Sequence, residues 1–224
     1  GTPDMNLRKN LAYSLAAALC VVTAFAGQPA SAAVVDYVGY GWETGGIETS
    51  DSGDELAMAF VVTQIDQLFG VDLGLEEATI YIDGLVSGGG VTANGTTTID
   101  YTGGTLRLYA DPSFDSDWGV DPVNATVPGT FVNGELVFEG AFTYFSLVML
   151  PGGGAFEGYL DGVGGSAIGQ PCTNCAYTFG GTFTSDSGAQ IPGGYDMQID
   201  GVLDVESAVA TETVSFGSLK TLYR

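Results

Sequence analysis

ELVFEGAFTYFSLVML, residues 135–150, is the longest run of β-forming residues in this chain, and its reading decides the fold class. Aromatic and β-branched side chains recur through it, the types that fit a pleated, half-buried surface. Leu136, Phe138 and Phe142 share one parity, while Glu135, Val137 and Glu139 share the other. A two-residue period of that kind predicts a strand with one face in a core. Asn133-Gly134, a hairpin-turn dipeptide, precedes the run, and the breaker PGGG at 151–154 follows it.

The same grammar repeats in both directions. Residues 34–42 and 78–86 read as strands, the second with Ile80 and Ile82 opposite Tyr81 and Asp83. Asn94-Gly95 marks another hairpin, after which residues 97–110 form two strand pieces around Gly103-Gly104. Residues 156–163, 176–185 and 195–206 are three more strands; in the last, Tyr195, Met197 and Ile199 alternate with Asp196, Gln198 and Asp200. Residues 214–223 offer a closing strand. Residues 56–69, LAMAFVVTQIDQLF, change period partway and predict a strand running into a short helical turn. A weak echo (GGTL at 103–106, EGAF at 139–142, EGYL at 157–160, GGTF at 180–183, DGVL at 200–203) is too unevenly spaced for a solenoid. Its glycines mark bends or bulges within strands. The expected fold is all-β, an antiparallel β-sandwich of jelly-roll type with at most one short helix.

The first 32 residues stand apart. Arg8 and Lys9, the apolar run 11–26 and the small-residue stretch GQPASA follow the order of a secretory signal peptide. The run is shorter than the roughly 20 apolar residues of a membrane-spanning helix, so no permanent membrane span is expected. Residues 33–224 then form one β-rich domain in an exported protein, periplasmic or extracellular.

Charge narrows the partners. The whole chain carries 5 basic and 27 acidic residues, a net charge of −22, with no histidine. Nucleic acid is excluded as a partner, because its binding depends on lysine and arginine neutralising phosphates. With 45% hydrophobic and 11% aromatic residues the chain is too apolar for a solvated coil. Its 35 glycines, in no triplet period, suit many tight turns.

The absence of histidine removes Ser-His-Asp and Cys-His designs. No phosphate-cradling GxxxxGK[ST], HExxH or G-x-S-x-G motif is present. A carboxylate-pair glycoside hydrolase needs only two acids, and Glu135, Glu139, Glu157 and Asp161 are conceivable members. With so many acids available, any pair can be nominated. Cys172 and Cys175, in QPCTNCAY, lack the second pair or histidines of a zinc site. In an oxidising compartment they are expected to close a small disulfide loop.

The most distinctive chemistry lies at residues 101–122, YTGGTLRLYADPSFDSDWGVDP, where a strand runs into a loop bearing Asp111, Asp115, Asp117 and Asp121. Calcium takes six to eight oxygen ligands from such groups, which makes these four aspartates its candidate ligands. The spacing is not that of an EF-hand, and Asp-Pro at 111–112 and 121–122 also fits a solvated turn. Trp118 and Arg107 are candidate ligand contacts. Arg107 is equally a local counter-charge.

The runs GGTLRLYADPSFDSDWG, NATVPGTFVNGELVFEG and GAFEGYLDG resemble exported bacterial proteins of unknown function of the PEP-CTERM-associated type. The closing residues SLKTLYR depart from that family's sorting signal. The resemblance implies secretion and a β-rich domain, and no mechanism. The expectation for function is a non-enzymatic binding or assembly role in the cell envelope or matrix, stabilised by calcium. An extracellular glycan-binding module or glycoside hydrolase is the alternative. Aromatics such as Trp42, Trp118 and Tyr109 lining a groove with two carboxylates would favour that alternative.

Overall fold

The computed structural model describes residues 33–119, 128–169, 175–185 and 190–207. Nine strands account for most of them: β1 (Ala33–Glu43), β2 (Glu55–Ile65), β3 (Glu77–Ser87), β4 (Val91–Ala93), β5 (Thr96–Asp111), β6 (Glu135–Leu150), β7 (Gly153–Gly164), β8 (Cys175–Thr184) and β9 (Met197–Ser207). Two 3-10 turns, Gln67–Phe69 and Gly129–Phe131, are the helical elements among the described residues. The first is the helical turn expected after β2.

The fold is all-β and antiparallel, but not a sandwich. Each long strand pairs with its neighbours in the chain, β3 pairs with β5, and β1 pairs with β9 from Ala33↔Val205 to Gly41↔Met197. Eight strands thereby close into an up-and-down barrel, with β4 a short flap on β5. Alternation reads the same in both architectures, since each buries every second side chain. Closure depends on curvature, and the curvature is written in irregularities. Register shifts fall at Asp36/Tyr37, Leu56/Met58, Leu108/Tyr109 and Phe142/Tyr144. Bulges of this kind add twist and bend a strand. Gly103 and Gly104 have φ of +72° and +90°, so they bend β5 without breaking it. That is why residues 97–110 form part of one 16-residue strand rather than two pieces.

An eight-stranded barrel is just wide enough for side chains to fill. Tyr37, Phe60, Phe138, Phe145 and Phe179 lie fully buried inside, with Tyr37 stacked on Phe179 at 4.9 Å between centroids. Glycines at facing positions make the room: a Cβ on Gly158 would sit 2.8 Å from Phe142 and 2.9 Å from Phe145. The outward positions of β9, Gln198, Asp200 and Glu206, are exposed. Val137, expected on the outer face with Glu135, is buried as well, because residues 165–167 fold over it through Ser166 N–H to Leu136 O and Ala167 N–H to Val137 O. Cys172, Asp121 and residues 1–32 and 214–223 lie outside the described residues; Cys175 opens β8.

Candidate functional site

With the barrel interior filled, chemistry is left to its outer wall and its ends. Three constellations stand out.

The first is the aspartate loop. β3 and β5 are in register so that Glu77 faces Asp111 directly. Both are buried, and with the exposed Asp115 they bring one carboxylate oxygen each to within 4.8 Å of the others. Glu77 Oε1 accepts from Asp115 N–H (2.7 Å) and Ser116 N–H (2.9 Å), and Asp111 Oδ1 from Ser113 N–H (2.8 Å). Asn133 Nδ2 donates to both Asp115 oxygens. The loop therefore hangs on Glu77. The same oxygens could face a hard cation, whose ligands stand 2.3–2.6 Å from calcium. Asp117 lies outside this group of three; its Oδ1 accepts from Gly119 N–H. Nothing in the sequence links Glu77 to this loop, because only strand register joins positions 34 residues apart.

The expected ligand contacts have other duties. Trp118 lies half-buried on the outer wall, edge-on to Tyr40 (5.1 Å) and against Phe131 (5.3 Å), and donates Nε1–H to Ala59 O (3.3 Å). Tyr195 donates its hydroxyl to Trp118 O, and burial pushes that phenol up to about 12. Trp118 thus fastens the aspartate loop to the wall rather than standing free as a platform. Arg107 is shared between Asp83 of β3 and Glu139 of β6, each at 3.0 Å, so it is a counter-charge to these acids and not to the loop aspartates expected as its partners. Glu135 and Glu139 project from β6, Glu157 and Asp161 from β7. Glu139 is engaged by Arg107 and Glu157 by Tyr159.

The second constellation is an open groove on the wall beside that ion pair, lined by Trp42, Thr44, Glu55, Ala57, Tyr81 and Asp83. The Trp42 and Tyr81 rings lie 6.4 Å apart with planes 26° from parallel. Register sets them on either side of β2, where Ala57 and Ala59 present only methyl groups between the two aromatics. Gly84 completes the floor. Of the aromatics foreseen, Trp42 lines this groove; Tyr109 stands on the neighbouring strand β5, and Tyr81 takes the opposite wall.

The third is buried at one end of the barrel. Glu43, 5% exposed, accepts from Ser50 Oγ at 2.8 Å and from the Tyr101 hydroxyl at 3.1 Å. Ser50 Oγ also meets Ser87 Oγ at 2.9 Å. Burial raises the Glu43 carboxyl to about 7, helped by Asp54 and Asp196 and opposed by the Ser50 and Tyr101 hydrogen bonds. Asp196 is itself raised, chiefly by burial, and accepts Glu43 N–H at 2.7 Å. Nothing local in the sequence announces this group. Compared with protein families and with curated proteins, the chain matches no family model and no curated sequence.

Proposed function

We propose that this is an exported, non-enzymatic β-barrel that binds a saccharide on its outer wall, in the groove that Trp42 and Tyr81 line. One observation carries the reading: two near-parallel aromatic rings rise over a floor of alanine and glycine, with carboxylates and a hydroxyl at the rim. Aromatic faces take the C–H face of a sugar ring, while Glu55, Asp83 and Thr44 are placed to hydrogen-bond its hydroxyls. The chain's net charge of −22 favours neutral sugars over acidic ones. Outward acids on β9 and an apolar interior are the reverse of a lipid-facing barrel, which supports a barrel working in water.

A panel of neutral and uronic-acid oligosaccharides, screened on an array and followed by calorimetry, tests the proposal. Binding of neutral sugars is expected, weakened at least tenfold in Trp42→Ala and Tyr81→Ala. An empty panel, or unchanged binding by Trp42→Ala, overturns it.

A second reading is favoured by the geometry at the aspartate loop. We propose calcium between Glu77, Asp111 and Asp115, where it would tie the loop to β3 and so keep Trp118 on the wall. Its role there is stabilisation, with no part in a reaction.

A further inference from the structure

The buried cluster at the barrel end has a composition that packing does not explain. β1 ends at Glu43, whose carboxyl group is turned beneath the 44–54 loop that leads into β2. Ser50 reaches down from that loop to Glu43 and Ser87, and its carbonyl accepts Gly90 N–H at 3.0 Å. Ser50 is 1% exposed and is held at φ +22°, a region a residue bearing a Cβ seldom enters. Such strain persists only where the surroundings impose it. Here Ser50 is held both by its hydroxyl bonds to Glu43 and Ser87 and by backbone bonds, its N–H to Gly46 O and its carbonyl from Gly90 N–H.

The groups facing Glu43 are all neutral or acidic. Tyr101 comes from β5 and Ser87 from β3; Asp54 comes from the loop, and Asp196 from the segment entering β9. Arg107 is the only basic residue among those described, and it is held by Asp83 and Glu139. An ionised Glu43 is therefore buried between two aspartates with no cation beside it.

We infer that Glu43 is a proton-operated latch: when protonated it holds the 44–54 loop shut over the barrel end, and when ionised it releases that loop. Opening the loop wets the carboxyl group and returns it towards its ordinary value of 4.5, whereas the closed form titrates at about 7. The closed form is thus stabilised by the proton fully below about pH 4.5. That advantage is lost as pH rises through about 7 and changes no further above it. Across this window the opening constant rises by up to ~10-fold per pH unit. The consequence reaches the groove, because Thr44 opens the loop and Glu55 begins β2 directly after it, the two joined by Thr44 N–H to Glu55 O at 3.0 Å, and both line the groove. This last step rests on the saccharide reading; the latch itself does not.

Hydrogen–deuterium exchange of the ligand-free protein, followed on peptides covering 44–54 and corrected for the intrinsic pH dependence of exchange, tests the latch. Protection is expected to fall at least tenfold between pH 5 and pH 7.5 and to level off by pH 8.5. Glu43→Gln, neutral at every pH, is expected to abolish the pH dependence. Tyr101→Phe removes a hydrogen bond that favours the carboxylate, so it moves the transition to higher pH. Wild-type protection that stays constant across this range overturns the latch, as does a Glu43→Gln profile that tracks wild type. If Glu43→Gln does not fold, the direction of the Tyr101→Phe shift decides in its place. Oligosaccharide titration at pH 5 and pH 7.5 is read separately. Loop exchange that responds to pH without any sugar binding would leave the latch standing and remove the groove reading.

Discussion

Gly201→Ala is the substitution that most directly interrogates the closed barrel. Gly201 sits on β9, paired with Tyr37 of β1 on one side and with Gly181 of β8 on the other. A Cβ there would lie 2.3 Å from Gly180 O and 2.6 Å from Tyr37 Oη. Neither neighbour can retreat. Gly180 O belongs to the backbone and accepts the Tyr37 hydroxyl at 3.0 Å. The Tyr37 ring is fully buried between Phe60 (4.6 Å) and Phe179 (4.9 Å). Overpacking of this kind costs about 1–3 kcal/mol, and a displaced buried hydrogen bond adds about 1 kcal/mol. A loss of about 3 kcal/mol is expected, or a fall in Tm of roughly 6–12 °C for a domain of this size. Gly129→Ala is the control, since its Cβ would meet nothing within 4 Å and its φ is ordinary. It should be neutral or stabilise by up to about 1 kcal/mol, through a less free unfolded chain. Urea melts of both variants, with m unchanged, provide the measurement. A Gly201→Ala midpoint equivalent to within about 0.5 kcal/mol of wild type would refute the reasoning, because the β1–β9 seam would then not hold Gly201 against Tyr37.

Saturating calcium, at about 100 times its Kd, should stabilise the protein by about 2.7 kcal/mol relative to chelator, and Glu77→Gln should remove most of that gain; superimposed melts in wild type would sink the cation reading. Arg107→Met should cost less than about 1 kcal/mol in a urea melt, because its partners are partly exposed and well solvated. A loss of several kcal/mol would mean that Arg107 does more than neutralise Asp83 and Glu139.

Ile80 and Ile82 against Tyr81 and Asp83, and Met197 and Ile199 against Gln198 and Asp200, fall on the faces their alternation predicts. Asn94-Gly95 makes its turn with φ of +54° and +80°, both in the left-handed region such a hairpin needs. The parity of β6 held through Phe142 and then slipped: a bulge between Phe142 and Tyr144 hands the inward role to Phe145 and Leu147. Counting by twos cannot anticipate an inserted residue.

The aspartate loop shows the same division. The spacing of Asp111 and Asp115 marks them in the sequence, and their carboxylates come together in the fold. Their third partner, Glu77, arrives only because β3 lies beside β5. Trp42 was identified as an aromatic of interest, but Tyr81 becomes its counterpart through two strand pairings and two small residues between them. Glu43 looked like one acid among 27.

Strand identity, the turns between strands and the inward face of a strand up to its first bulge are local properties. They depend on side-chain chemistry at separations of one to four residues, and the chain alone determines them. Barrel closure, the Glu77–Asp111 pairing, the Trp42–Tyr81 groove and the burial of Glu43 against Tyr101 depend on register between strands tens of residues apart. That register is set by accumulated twist, bulges and the need to fill one interior with aromatic rings. Only the folded barrel decides it, since a shift of one residue would turn every one of these side chains to the opposite face.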